Sequence, residues 1–218
     1  GDKGFVGSAL TPLLTDYRGF DIKDGFDITN RSQLKEALKG VDKVIHLAAI
    51  VGEDACLKDI DKAYTVNAYG TSILANEARE AGVRKLILAS TCSVYGDLNG
   101  GYGRDPNPWG VYTRSKVIAE NVVLAKGYTV LRFGSLYGKE ISSDSLPQTF
   151  RQEAMKGEIL VNDPSSWRPI THVEDAARAL AFTSSLLWQL PILDVVGENI
   201  TKGDLAKLIA ERYGATVK

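Results

Sequence analysis

Apolar segments of strand length alternate with helical patterns along most of this 218-residue chain. Three nearly continuous apolar runs, at 41–51, 84–90 and 128–133, are typical of strands that are buried on both faces. Between the first two runs, residues 64–81 follow helical spacing and stop at Gly82. This alternation predicts a doubly wound α/β fold, in which helices cover both faces of a parallel sheet through right-handed crossovers.

The regular order of elements loosens after residue 137. Residues 138–169 are richer in Ser, Pro and Gly than the residues before them. We therefore predict a main α/β domain at 1–137, with residues 170–190 packing back on it. A smaller C-terminal α/β region is expected to consist of residues 138–169 and 191–218.

A glycine turn opens the chain and runs directly into a helical pattern. Gly1, Gly4 and Gly7 follow the spacing Gly-x2-Gly-x2-Gly. Glycines at such a turn allow the tight bend and close backbone approach that a pyrophosphate at a helix N-terminus requires. A plain loop fits the pattern as well. Because this fingerprint normally follows a strand, we expect a strand before Gly1 to lie outside this sequence. The short spacings from Gly7 to Asp21 and from Tyr95 to Tyr112 predict that loop residues are absent as well, and we also expect a C-terminal tail outside this sequence.

An acidic residue ends the next predicted strand, Tyr17–Asp21. A carboxylate at that point can accept hydrogen bonds from both hydroxyls of an adenosine ribose and repels a 2′-phosphate, which favours NAD over NADP. Lys23 lies two residues further on and weakens that discrimination. Asp27 and Ile28 follow, and Asp27 also fits a simple turn residue or a helix cap.

A tyrosine and a lysine lie four residues apart at the start of a later helical segment. Tyr112 and Lys116 share one face of that helix, one turn apart. An ammonium so close favours the phenolate, so we expect it to lower the pKa of Tyr112 from its ordinary value of about 10, as a general base requires. Alone, this spacing is weak evidence, because Tyr and Lys are common in the chain.

Small polar side chains follow the second apolar run, where Thr91, Cys92 and Ser93 come directly after Ser90. Side chains at the carboxyl ends of parallel strands point to the crevice where ligands bind. Cys92 also fits a small buried residue. His46, which lies inside the first apolar run, is predicted to be a packed core residue.

Charge and composition exclude several classes of function. A net charge of −1 gives no electrostatic support for nucleic acid or an anionic membrane as a partner. Two cysteines and two histidines form neither a disulfide framework nor a cluster with metal-ligand spacing. Since no membrane span or signal peptide is visible, we expect a cytoplasmic protein without a metal site, acting on a small molecule.

The strongest sequence signals occur together and in one order. They are the glycine turn, Asp21, the segment Thr91-Cys92-Ser93-Val94-Tyr95-Gly96 and the pair Tyr112-x3-Lys116. Together they resemble the extended short-chain dehydrogenase/reductase family, in its NAD-dependent epimerase/dehydratase branch that acts on nucleotide sugars. Residues 46–49, 67–71, 131–138 and 168–175 are also similar to that branch, so the resemblance covers essentially the whole chain. It implies a Rossmann-type fold with an NAD-binding domain at 1–137 and a substrate-binding region in the remainder.

The resemblance implies a role for each matching residue. Tyr112 would be the acid/base, Lys116 would bind the nicotinamide ribose, and Thr91 would hydrogen-bond the reacting hydroxyl or ketone. The implied cofactor contacts are Gly1, Gly4, Phe5, Val6, Gly7, Asp21, Asp27, Ile28, Ala48, Ala49, Asn67 and Lys116. The implied substrate contacts are Cys92, Ser93, Ser135 and Arg168, of which Arg168 would meet a diphosphate with its forked donors.

Two departures from the family pattern narrow the implied chemistry. The 4,6-dehydratases of this branch place Asp-Glu after the threonine, whereas this chain has Cys92-Ser93, so elimination of water lacks its acid and base. Many relatives carry Asn where this chain has Ser135, which weakens any inference on nucleotide contacts. We therefore predict an NAD-dependent nucleotide-sugar epimerase that works through a transient keto-sugar. The alternatives are a net dehydrogenase or ketoreductase on a nucleotide sugar or another secondary alcohol, and a non-catalytic NAD-sensing protein.

The resemblance also implies a homodimer. Relatives pair through the helix that carries Tyr112 and the helix after Asn67. Ile118, Val122 and Val123 could line that interface, and they fit a core position equally well.

Overall fold

The computed structural model describes residues 1–96, 105–139 and 145–218. Its strands are β1 (Lys43–His46), β2 (Lys85–Thr91), β3 (Thr129–Phe133), β4 (Ser135–Tyr137), β5 (Glu158–Ile159), β6 (Trp167–His172), β7 (Ile192–Val195), β8 (Glu198–Thr201) and β9 (Thr216–Val217). Its α-helices are α1 (Phe5–Leu10), α2 (Arg31–Ala37), α3 (Glu53–Lys58), α4 (Ile60–Tyr64), α5 (Thr71–Glu80), α6 (Val111–Ala125), α7 (Leu146–Ala154), α8 (Val173–Ser185) and α9 (Lys202–Tyr213). A π-helical turn, Thr65–Gly70, joins α4 to α5.

The main sheet is parallel and has the strand order β1-β2-β3-β7. Helices cover both of its faces, and the side chains of β2 show this by alternating between two cores. Leu86 and Leu88 pack in the core cluster that includes α5 and α6, whereas Ile87 packs in the cluster that includes α1 and α8. All three side chains are fully buried. The structure therefore confirms the predicted doubly wound α/β fold.

A second, smaller unit of structure lies beyond β3. Strands β4, β6 and β8 form a three-stranded sheet, and β5 pairs with β9. Helices α7 and α9 pack over them around a separate core cluster that contains Phe150, Ile170 and Leu205. Helix α8 instead packs against α1 and contributes Ala176 and Leu180 to the core of the main sheet.

Two sequence predictions on strands are wrong in part. The segment Tyr17–Asp21 is extended but belongs to none of the described sheets. It lies beside the glycine turn, and a side chain of that turn takes the place of a neighbouring strand as its hydrogen-bond partner. The Phe20 N–H donates a hydrogen bond of 2.9 Å to the Asp2 carboxylate. The strand Ile192–Val195, which we assigned to the smaller region, joins the main sheet because it pairs with β3.

Within the described residues, no helix is both long enough and apolar enough to cross a membrane. No group of three or more His, Cys, Asp or Glu side chains in that part of the chain has the arrangement of a metal site.

Candidate active site

Helix α6 is fixed to the carboxyl end of β2 by a lysine. The Lys116 ammonium donates a hydrogen bond of 2.7 Å to the carbonyl oxygen of Ala89, and β2 ends two residues later at Thr91. Tyr112 lies one turn before Lys116, toward the N-terminus of the helix, and a crossover helix runs antiparallel to its strands. The structure therefore brings Tyr112, Lys116 and Thr91 to the same edge of the sheet, where ligands bind in open α/β folds.

Lys116 is almost completely buried, with 3% of its side chain exposed. Burial lowers the pKa of its ammonium to about 8, and the carboxylate of Glu120, one turn later, opposes that shift. Burial lowers the pKa of His46 to about 3, and the positive charge of Lys116 adds to that shift. His46 packs in the core as predicted and bonds to the Thr71 hydroxyl at 2.8 Å.

The expected effect of Lys116 on the tyrosine is not observed. Burial raises the pKa of the Tyr112 hydroxyl, and electrostatic repulsion from Cys56 and Glu120 adds to that shift. The prediction that Lys116 lowers this pKa is wrong here, because burial raises the pKa and no positive charge among the described residues opposes that shift. Tyr112 itself is only partly buried, and its hydroxyl bonds to no other residue in the described part of the chain.

Thr91 starts a tight turn at the end of β2. Its hydroxyl oxygen accepts a hydrogen bond of 3.1 Å from the Ser93 N–H, and a 3₁₀ turn, Cys92–Tyr95, follows. Ser93 is exposed at this edge, whereas Cys92 is 5% exposed and its thiol is directed to the carbonyl oxygen of Arg132. Burial raises the pKa of that thiol to about 12. We therefore correct the predicted substrate contact of Cys92, since its side chain faces the core.

The glycine turn lies against the residues that follow β1. A Cβ on Gly1 would stand 2.6 Å from the Ala48 nitrogen, and one on Gly7 would stand 2.4 Å from the Asp2 carbonyl oxygen. Gly4 has more room, since the nearest atom to its Cβ would be 3.3 Å away. Two of the three glycines are thus required by the close approach of backbone to backbone, as a phosphate-binding turn demands.

Asp21 ties its own extended segment to this turn. Its carboxylate accepts hydrogen bonds of 2.9 Å from the N–H groups of Lys3 and Lys23. Burial on its own raises the pKa of this carboxyl, but those two hydrogen bonds hold the pKa below its ordinary value. Asp21 is therefore ionised and stands beside the glycine turn, where the sequence predicts a ribose contact.

The other predicted cofactor residues differ in their surroundings. Asp27 accepts hydrogen bonds of 2.8 Å from the N–H and the hydroxyl of Thr29, so its side chain closes a local turn. Ile28 is 7% exposed and packs in the core cluster of α2 and α5, and it also lines the cavity beside the glycine turn. Its predicted cofactor contact stays a prediction. Phe5 and Val6 are partly exposed at the start of α1, and Ala49 is partly exposed beyond β1.

Asn67 lies in the π-helical turn and is 1% exposed. Its amide bonds to both the N–H (2.8 Å) and the carbonyl oxygen (2.9 Å) of Ile50, and also to the Ser115 hydroxyl at 3.0 Å. The side-chain amide is therefore committed to the protein. π-Helical turns are frequent at functional sites, and this one connects the loop after β1 with α6.

The predicted diphosphate contacts lie on the second sheet. Ser135 on β4 pairs with Ile170 on β6, and Arg168 is two residues before Ile170 on the same face. Both Ser135 and Arg168 are partly exposed, and an Arg168 Nη donates a hydrogen bond of 3.0 Å to the Trp167 carbonyl oxygen. The structure thus places Ser135 and Arg168 on the same small sheet, two residues apart in register, and on a different sheet from Thr91.

Sequence reasoning missed a buried polar network behind the site. The Arg132 guanidinium bonds to the Glu120 carboxylate at 2.6 Å and to the Tyr95 hydroxyl at 2.8 Å. The Tyr95 hydroxyl also donates to the Asp194 carboxylate, at 2.8 Å. The network joins α6, β3 and β7 to the turn after β2, and its residues lie too far apart in sequence for any spacing pattern to reveal it.

A cavity of about 800 Å³ lies between the glycine turn, residues 13–20 and β1. Its lining includes Gly1, Gly7, Ile28 and Ala48 but not Thr91, Tyr112 or Lys116. This cavity is therefore separate from the edge of the sheet where the candidate catalytic side chains meet.

Curated proteins and solved structures are similar to this chain. It is 30% identical over 200 residues to the dTDP-4-dehydrorhamnose reductase of Mycobacterium tuberculosis (strain CDC 1551 / Oshkosh), which covers 87% of this chain and 65% of that protein. It is 34% identical over 145 residues to the decarboxylating sterol-4-alpha-carboxylate 3-dehydrogenase of Mus musculus, covering 57% of this chain and 39% of that protein. The chain thus spans less than two thirds of the length of these relatives.

The structure of MoeE5 in complex with UDP-glucose and NAD matches the fold with a TM-score of 0.81. The two chains are 26% identical, and the match covers 100% of this chain and 82% of MoeE5. The model of the NAD dependent epimerase/dehydratase family matches residues 1–185. These findings confirm the resemblance that the sequence motifs indicate, and the chain belongs to the NAD dependent epimerase/dehydratase family.

Proposed function

We propose that this chain binds NAD and catalyses the epimerisation of a nucleotide sugar through reversible oxidation of a secondary alcohol. The observation that carries the proposal is the hydrogen bond from Lys116 to Ala89, because it holds Tyr112 at the edge of the sheet where Thr91 ends β2. A phenol, an ammonium and a hydroxyl at one ligand-binding edge suit proton transfer at an alcohol carbon.

The residues around the glycine turn fit a dinucleotide. Gly1 and Gly7 pass so close to neighbouring backbone that a Cβ would collide with it, and such a close backbone approach is typical of a turn that binds a pyrophosphate. The ionised Asp21 beside them suits a ribose and disfavours a 2′-phosphate. When bound, NAD supplies the hydride acceptor and donor that interconverts alcohol and carbonyl.

The protein side chains would divide the remaining work. Tyr112 would take the proton of the substrate hydroxyl and return it when the carbonyl is reduced, while Thr91 would orient that oxygen. Because burial raises the pKa of Tyr112, its ionisation requires a further positive charge, which an oxidised nicotinamide would provide. Arg168 would pair with the substrate diphosphate from the second sheet.

A net reductase or dehydrogenase is the second candidate. The relatives support it, because the dTDP-4-dehydrorhamnose reductase and the sterol dehydrogenase are oxidoreductases by name. Cys92 and Ser93 stand where dehydratases need carboxyl groups, so neither candidate includes elimination of water.

One experiment separates these candidates. The protein is incubated with NAD and, in turn, UDP-, dTDP-, GDP- and ADP-sugars, with binding followed by thermal shift and products by NMR. An epimerase gives a changed sugar configuration without net NADH, whereas a dehydrogenase gives NADH in proportion to product. Binding of NAD with no turnover of any alcohol would instead support the NAD-sensing alternative and contradict the proposal.

We also propose that the protein is a homodimer that pairs through α5 and α6. Ile118 is 44% exposed and Tyr69, just before α5, is 62% exposed, so both can take part in an interface. Val123 is fully buried and belongs to the core. Light scattering of the wild type and of Ile118→Glu tests this, since the dimer should dissociate in the variant.

A further inference from the structure

The N-terminus of α6 is capped by a carboxylate from a distant part of the chain. Glu53, the first residue of α3, accepts hydrogen bonds from the Val111 N–H at 2.6 Å and from the Tyr112 N–H at 3.1 Å. These are two of the N–H groups that a helix leaves without an intrahelical partner. A negative charge at this end of a helix is also favoured by the helix dipole.

The residue before α6 has the size that this arrangement requires. Gly110 is the N-cap, and as a glycine it has no side chain with which to cap the helix. A Cβ on Gly110 would stand 2.2 Å from the nearer Glu53 oxygen, so any larger residue would displace the carboxylate. Local capping by Ser, Asp or Asn, which most helices use, is thus replaced by Glu53.

The carbonyl group of the same tyrosine is held from the same side. The Ser115 hydroxyl donates a hydrogen bond of 2.7 Å to the Tyr112 carbonyl oxygen and accepts one from the Asn67 amide at 3.0 Å. Asn67 in turn bonds to both backbone groups of Ile50, three residues before Glu53. The Tyr112 N–H therefore bonds directly to Glu53, and the Tyr112 C=O is linked to Ile50 through Ser115 and Asn67.

We propose that Glu53 is a positioning residue, which sets the orientation of the Tyr112 phenol by fixing the first turn of α6. The proposal rests on the proposed function in one respect, namely that Tyr112 is the proton-transfer group. Glu53 acts through the backbone of Tyr112 and touches neither substrate nor cofactor in this role. A displacement of about 1 Å in a reacting group costs roughly a hundredfold in rate, so the cap has a direct kinetic consequence.

Glu53→Ala tests the role of the carboxylate. On the substrate that the nucleotide-sugar screen identifies, we expect kcat to fall roughly a hundredfold. KM and the NAD-dependent thermal shift should stay nearly unchanged, because only the phenol is misplaced. Asp54→Asn is the matched control, since Asp54 is the adjacent, exposed acid, and it should keep wild-type kinetics. Equal kcat in wild type and Glu53→Ala would overturn the proposal.

A double-variant cycle with Gly110 separates capping from a general loss of stability. Gly110→Ser should lower kcat in the wild-type background, because its side chain displaces Glu53. In the Glu53→Ala background the same serine can cap α6 locally, and kcat should recover by about tenfold. The effect of Gly110→Ser thus changes sign between the backgrounds. A loss of kcat in both backgrounds would contradict a capping role.

Amide exchange distinguishes failure of this proposal from failure of the proposed function. In Glu53→Ala, the amides of Val111 and Tyr112 should exchange faster by NMR, whether or not any sugar is turned over. Unchanged exchange at both amides would overturn the contact itself. An inactive wild-type protein with faster exchange in the variant would leave the cap in place and remove only the proposed reaction.

Discussion

The Lys116 ammonium is bonded to the Ala89 carbonyl oxygen at 2.7 Å, in a position that is almost closed to solvent. This contact fixes α6 against β2. Burial raises the pKa of the Tyr112 hydroxyl and lowers the pKa of the Lys116 ammonium to about 8.

The pH dependence of stability should report this buried lysine. Between pH 8 and its ordinary pKa of 10.5, Lys116 is neutral in the folded state and protonated in the unfolded state. The unfolded state then binds more protons, so stability rises with pH in that window, by up to about 3 kcal/mol. Urea unfolding of wild type and Lys116→Met from pH 7 to pH 10 checks this. Relative to the variant, the wild type should gain stability with rising pH, and a constant difference would contradict the shifted pKa.

The buried pair of Glu120 and Arg132 should contribute far more than an ion pair at the surface. Their side chains are 1% and 3% exposed, so Glu120→Gln leaves a buried guanidinium without its counter-charge. We expect the free energy of unfolding to fall by about 3–5 kcal/mol. Asp175→Asn, which breaks the exposed pair with Arg178, is the control and should cost less than about 1 kcal/mol. Similar losses of stability in the two variants would contradict the large contribution that we expect of the buried pair.

The glycine turn should tolerate a methyl group at one position and not at another. Gly7→Ala places its Cβ 2.4 Å from the Asp2 carbonyl oxygen, and that backbone cannot move freely. We therefore expect the free energy of unfolding to fall by about 1–3 kcal/mol. The NAD-dependent thermal shift should disappear as well. Gly4→Ala meets its nearest atom at 3.3 Å and should lose less stability. Equal NAD affinity in the two variants would contradict the role of Gly7 in the turn.

Asp21 should discriminate between the two nicotinamide cofactors. Its ionised carboxylate repels a 2′-phosphate and accepts bonds from ribose hydroxyls, so Asp21→Asn should raise the ratio of NADP to NAD affinity roughly ten- to a hundredfold. Asp16→Asn, at an exposed acid in the same region, is the control. Calorimetric titration of both cofactors measures the ratio, which should stay at the wild-type value only in the control.

Local pattern predicts the main sheet well because its strands are buried on both faces. Leu86, Ile87 and Leu88 can only be apolar in such a position, so β2 is evident from composition alone. The segment Tyr17–Asp21 shows the limit of this reasoning. Its residues favour an extended chain, but membership of a sheet depends on a neighbouring strand that local sequence does not specify.

The candidate site was predictable where a motif lies within a few residues and not where distant segments meet. Tyr112, Lys116 and Thr91 follow from spacing and from the end of a strand. The contact of Glu53 with α6 spans 58 residues to Val111 and has no such pattern. One signal was present in the sequence. Gly110, which precedes α6, has no side chain that could cap the helix, so the first N–H groups of α6 need a hydrogen-bond acceptor from another part of the chain.

Replacing Tyr112 with Phe tests the central claim most directly, since the change removes the hydroxyl and keeps the ring. With the substrate and NAD at saturation, we predict that kcat falls by roughly 10²–10⁴ while the NAD-dependent thermal shift stays at its wild-type value. Turnover by Tyr112→Phe at the wild-type rate would show that this phenol transfers no proton, and it would contradict the account.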